Sequence, residues 1–232
     1  MIVRYTADAV QLISQPDHAA LAGRIMEHCA GVIVSPRSEA ILHAIAEHDN
    51  GWQEPDSMPA IDPATGRALD FVNAPAQVRQ SVWPRGVARL RSDPWAAALV
   101  AQHAVAVYDR FRPDAEWAGF FATMEASRDE LLRTLDQGLE ELLHDYVFVR
   151  LGDLISLTFC TGWTDEHHVG GWSVHLDGSD VIVSPDPFDV REIAFDVPAR
   201  ELPRQTFESD DALRAAMRAT PPTLLRGHAA GR

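Results

Sequence analysis

His48 and Asp49 place an imidazole and a carboxylate side by side at the end of an apolar run that begins at Ser38. They lead directly into Asn50-Gly51-Trp52, where a helix should stop. His18, His103 and Asp153 each lie on a different apolar stretch. Imidazoles with carboxylates suit Zn, Fe, Mn or Ni. Asp153 is the sharpest single residue, because it sits among Val147, Phe148, Val149, Leu151, Leu154, Ile155 and Leu157. A carboxylate there must be paired, protonated or bound to metal. The bland readings are a pair with Arg150 for Asp153, and a satisfied core histidine for His48 or His103. The set outweighs them. Adjacent His48 and Asp49 at a helix end can both reach one ion, His18 and Asp153 can supply the rest, and the cation makes the buried carboxylates tolerable.

The elements that must position these groups follow from periodicity. Ser14-Gln-Pro16-Asp17 reads as a helix start with Asp17 as cap, and Leu21, Ala22, Ile25, Met26 and Cys29 continue at helical spacing. Ser35 to Ser38 restarts a helix whose face carries Ile41, Ile45 and His48, leaving His43 off that face. Residues 50–92 are rich in Pro, Gly, Asp and Asn, and predict a long functional loop or lid. On it, Arg85 or Arg89 is a candidate for phosphate, and Trp52 or Trp83 for a ring. Asp93-Pro94 opens the helix of His103. Residues 115–145 predict one long or two short helices, and Tyr146 to Cys160 a buried helix or a buried strand, the helix favoured because no strong turn signal precedes it. After Gly162 the texture changes to short alternating segments, with a hairpin turn at Asp177-Gly178, a Ser209-capped helix and a last strand at Thr223 to Leu225. His167-His168 reads as a solvated loop in preference to a cap on the site, residues 1–14 as an extended lead-in, and residues 227–232 as a frayed tail. The expected fold is therefore mainly α. A helical core over residues 1–161 carries the metal, and residues 162–232 form a small antiparallel β-sheet with one short helix.

Composition narrows the function classes. A formal net charge of −14 argues against a nucleic-acid polymer or an anionic membrane as partner. The absence of lysine removes Schiff-base chemistry. Cys29 and Cys160 read as buried free thiols of a reducing compartment. With no leader pattern and no long apolar span, the expectation is a cytoplasmic protein acting on a small molecule, as a monomer or a homo-oligomer. Neither a nucleophilic serine elbow nor a glycine-rich phosphate loop is present.

His18, then His48-Asp49, then Asp153 in Gly152-Asp-Leu-Ile-Ser-Leu resembles the HD superfamily, named for its metal-binding His-Asp pair. More narrowly, Gln15-Pro-Asp-His18, His48-Asp-Asn-Gly-Trp52 and Leu151 to Leu157 resemble an uncharacterised bacterial HD-like family with an HDNGW motif, over about residues 10–200. The resemblance implies an HD-like all-helical core holding one or two divalent transition metals. It also implies a metal-dependent phosphohydrolase of a phosphate ester or nucleotide-like substrate, in which Asp49 is both ligand and orienter of water. His103 matches the position of the extra ligand in two-metal members, some of which are di-iron oxygenases. Their further ligand has no clear counterpart among Glu125, Asp129 and His144. A non-catalytic HD-like sensor or binding module is the remaining alternative.

Overall fold

Ser14 starts the first helix, α1 (Gln15–Met26). Its side chain accepts from the Asp17 backbone N–H, and Pro16 occupies the first turn, where a missing N–H costs no helical bond. Asp17, the expected cap, is instead a first-turn acid whose carboxylate accepts from the Ser14 hydroxyl. The computed structural model describes all 232 residues. Eight helices follow: α2 (Ala30–Ile33), α3 (Ser38–Glu47), α4 (Gln53–Ser57), α5 (Ala76–Arg89), α6 (Pro94–Val107), α7 (Ala118–Leu135), α8 (Leu139–Thr161) and α9 (Asp210–Ala219). Asp93 caps α6 as expected, accepting from the Ala96 N–H. Asp136 in the left-handed conformation separates α7 from α8, so residues 115–145 contain two helices. The apolar segment after Tyr146 is helical and buried on most sides. No helix is long and apolar enough to cross a membrane.

The expected mainly-α fold with a small C-terminal antiparallel sheet does not hold. About 53% of the chain is helical, but about 20% forms one curled, mixed, seven-stranded sheet. Its strands are β1 (Ile2–Tyr5), β2 (Ala9–Ile13), β3 (His167–Val169), β4 (Trp172–Asp177), β5 (Asp180–Ser184), β6 (Ile193–Pro203) and β7 (Thr223–Gly231), in the order β1-β2-β6-β7-β5-β4-β3. The extended lead-in is thus a hairpin that joins the sheet where β2 pairs with β6. The tail expected to fray is the end of β7, which pairs parallel with β5 and antiparallel with β6. The Asp177-Gly178 hairpin is where the alternation predicted it. One hydrophobic core runs from Leu21, Ile45 and Leu99 on the helices to Val181, Val197 and Ala229 on the sheet. A smaller cluster of Val10, Leu12, Leu202 and Leu213 lies beneath α9.

Residues 50–92 do not form one irregular loop. They contain a 3₁₀ turn at Asn50–Trp52, α4, a bridge between Ile61 and Ala68, and the fourteen-residue α5. Pro84 and Gly86 mask α5 in the sequence, because both are poor interior helix residues. Gly86 faces Asn50 and Gly51, letting α5 press onto the Asn50–Trp52 turn. Gly51 is therefore more than a helix stop: a Cβ there would lie 2.0 Å from the Val82 carbonyl oxygen. Gly51→Ala is expected to destabilise the fold by about 2–3 kcal/mol through overpacking. Gly119→Ala, in open space on α7, should be neutral or slightly stabilising. Urea unfolding of the two variants checks the contrast.

Candidate metal centre

Four helices of the core, α1, α3, α6 and α8, pack on one another and each delivers part of a single cluster. His18 comes from the first turn of α1, His48 caps the end of α3 with Asp49 next to it, His103 comes from α6 and Asp153 from α8. His18, His48, Asp49 and His103 are buried, and the Asp153 side chain is 18% exposed. His18 Nε2 lies 3.0 Å from Asp49 Oδ2 and 3.8 Å from Asp153 Oδ1. His48 Nε2 lies 3.4 Å from Asp153 Oδ1 and 3.6 Å from Asp49 Oδ2. His103 Nε2 lies 3.6 Å from Asp153 Oδ2. His18 and His48 thus each contact both carboxylates. Ligands about 2.1 Å from a common ion stand about 3.0–3.4 Å apart, close to the distances between the His18 and His48 Nε2 atoms and the carboxylates they face.

The other ring nitrogens are committed elsewhere, which settles where protons sit. The His48 Nδ1–H donates to the Ile45 carbonyl at 2.7 Å, since a carbonyl only accepts. The Ser156 hydroxyl donates to the Asp153 carbonyl, so at His18 Nδ1 it accepts, at 2.8 Å. In their neutral forms His18 and His48 therefore both aim an Nε2 lone pair at the carboxylates. His48 Nε2 is buried without a hydrogen-bond partner. Lone pairs facing carboxylates in a dry interior require a proton or a metal cation between them. The donor set and this orphaned nitrogen fit a metal ion, and buried His/Asp groups that could hold one include His18, His48 and Asp49, and His48, His103 and Asp153.

Electrostatics follow the same geometry. Burial alone would depress His48, but the Asp49 and Asp153 carboxylates outweigh it and push its pKa up to about 9. Burial would raise both aspartates. The surrounding imidazoles reverse this and hold Asp49 and Asp153 below the usual carboxylate range. His103 is pushed down to about 4 by burial, against the pull of Asp153. Its Nδ1 lies 3.1 Å from the Tyr146 hydroxyl, whose own pKa burial raises.

A cavity of about 240 Å³ opens onto this cluster, lined among others by His103, Tyr146, Arg150, Asp153, His167 and His168. Arg150 does not pair with Asp153, whose carboxylate faces histidines instead. His167 and His168 are not loop residues but form β3 with Val169. Trp52 and Arg85 lie elsewhere, on a separate cavity of about 1200 Å³ that includes none of the cluster residues. Arg85 and Arg89 are both engaged with Glu54. Trp83 packs edge-on against His103, with ring centres 5.5 Å apart. Glu125 pairs with Arg112 and Asp129 with Arg128; neither they nor His144 belongs to either ligand group, while His43 pairs with Asp93. Sequence reasoning missed Ser156 and Tyr146 as supports of the imidazoles. The available signal was spacing, since both share a helical stripe with Asp153.

The family model described as "Protein of unknown function (DUF3891)" matches residues 1–204. The chain belongs to the DUF3891 family. No curated protein and no solved structure matches it. The DUF3891 match contains every residue of the cluster and β3, and stops after β6, before α9 and β7.

Two outcomes are expected. Metal binding must displace the His48 proton, which is held up to about pH 9, so affinity should rise about tenfold per pH unit between roughly pH 6 and pH 8. Calorimetric metal titrations across that range check this, and a flat dependence contradicts it. Ser156→Ala leaves the His18 Nδ1–H without its acceptor and should weaken metal binding about 10–100-fold while the fold persists, read by metal titration and circular dichroism.

Proposed function

We propose that His18, His48, Asp49 and Asp153 hold one divalent transition metal, and that the protein is a metal-dependent hydrolase of a phosphate ester or nucleotide-like substrate. The observation that carries this reading is His48 Nε2, a buried nitrogen with no hydrogen-bond partner, 3.6 Å from one ionised carboxylate and 3.4 Å from another. The ordered resemblance to the HD superfamily supports it. A divalent ion bound there supplies Lewis acidity and brings the pKa of coordinated water toward neutrality. The chain's own residues do the rest. Ser156 and the Ile45 carbonyl fix the two ligand imidazoles in the tautomer that presents Nε2. Asp153 reaches the cavity from the cluster, and so links the ion to an incoming substrate. The Tyr146 hydroxyl lies 3.1 Å from His103 Nδ1 and so holds the His103 ring beside Asp153, with its Nε2 3.6 Å from Asp153 Oδ2.

The same chemistry weighs against the two-metal oxygenase. His48 belongs to both ligand groups, yet its Nε2 has one lone pair and its Nδ1 is committed to Ile45, so it can serve only one ion. A non-catalytic module is less well supported, because Asp153 is open to a cavity. Protein purified without a metal-affinity tag is expected to contain one transition metal per chain by elemental analysis and to hydrolyse phosphomonoesters. His48→Gln should lose both metal and at least about a hundredfold in rate. Two irons per chain with oxygen uptake would establish the oxygenase instead, and bound metal with no turnover on any phosphate ester would establish a binding module.

A further inference from the structure

The cavity beside Asp153 has a second wall that the cluster does not use. Tyr146, Arg150 and Asp153 lie at intervals of four and three along α8, on one stripe, and all three line the cavity. Across from them runs β3, an edge strand. Alternation along it turns His167 and Val169 inward. His167 Nε2 is buried and has no hydrogen-bond partner in the protein. Trp163 packs against the same imidazole, with ring centres 4.9 Å apart, and restrains its orientation. Arg150 is exposed and forms no ion pair with the carboxylate of Asp153 or any other acid. A guanidinium without a carboxylate and an imidazole whose Nε2 has no partner therefore line the same small cavity as the partly buried Asp153.

We propose that Arg150, one helical turn from Asp153 on α8, and His167, across the cavity on β3, form a subsite for the phosphoryl group of the substrate. This rests on the metal-dependent hydrolase reading and adds the residues that select its substrate. Guanidinium forks and imidazole N–H groups are donors suited to phosphoryl oxygens. Three separate points, the cluster, Arg150 and His167, call for three acceptor oxygens on one centre. A phosphoryl group has them and a carboxylate has two. The volume of about 240 Å³ is below the roughly 300–1,000 Å³ of sites that enclose whole drug-sized ligands. The subsite therefore takes the phosphoryl end and leaves the bulk of the ester outside. Asp153 would repel that anion on its own, so binding at this wall also requires the cation.

The test is calorimetric titration of inorganic phosphate, with acetate for comparison, into protein whose metal content is measured for every sample. Arg150→Gln and His167→Gln are expected to keep their metal and to weaken phosphate binding at least about tenfold. Arg133→Gln, on the exposed face of α7, should bind phosphate as the wild type does, and acetate should bind the wild type at least about tenfold more weakly than phosphate. Unchanged phosphate affinity in both metal-loaded variants overturns the subsite. So do metal-loaded wild type that binds no phosphate, and acetate that binds as tightly. Loss of metal in His167→Gln would make His167 a ligand and also overturn it. Wild type that holds no metal removes the hydrolase reading itself, a result that elemental analysis separates from the others.

Discussion

Two carboxylates drawn into a helical core are the constraint on which the rest of the structure depends. An ionised carboxylate in a protein interior costs several kcal/mol unless a cation or donors compensate it. Asp49 and Asp153 are compensated by imidazoles from α1, α3 and α6, so the electrostatics of one cluster tie four helices together. The approach is close. A Cβ on Gly152 would come within 2.9 Å of both Ile45 and Met26, so α8 can bring Asp153 to α1 and α3 only because its neighbour has no side chain. The supporting groups then remove freedom: Ser156 and the Ile45 carbonyl each hold one imidazole, leaving the Nε2 atoms no orientation but inward.

The sheet is part of the same arrangement. α8 packs against β1, β3, β4 and β5, so the helix that carries Tyr146, Arg150 and Asp153 has the cluster on one side and strands on the other. β3 closes the cavity that reaches Asp153, and brings His167 to it from beyond the helical body. The larger cavity beneath residues 52–85 is bigger and more apolar, but no ligand of the cluster lines it. Size and convergent polar groups therefore point to different cavities in this molecule.

The candidate cluster was legible because its cost is local. An Asp inside a run of Val, Leu, Ile and Phe, and a His-Asp pair closing an apolar helix, are anomalies that need no knowledge of the fold. The caps at Asp93 and Ser209 and the Asp177-Gly178 hairpin were legible for the same reason, since turn and cap chemistry acts over three or four residues. α5 was hidden by Pro84 and Gly86; Gly86 is explained by a close approach to Asn50 and Gly51, more than thirty positions away. β1 and β2 were seen only as an extended lead-in, because nothing in residues 1–14 names β6 as their partner.

The sequence by itself determined which side chains are anomalous enough to demand compensation, and roughly which elements carry them, because burial and periodicity are written residue by residue. Only the tertiary structure decided that five of those side chains share one cluster, that Ser156 orients His18, and that His167 rather than Arg85 faces it. It also decided that both ends of the chain meet in one mixed sheet instead of a small C-terminal one. Each of these depends on pairing between segments far apart in the chain. Such pairing is fixed by the joint packing of α1, α3, α6 and α8 against the strands, which no local window of residues contains.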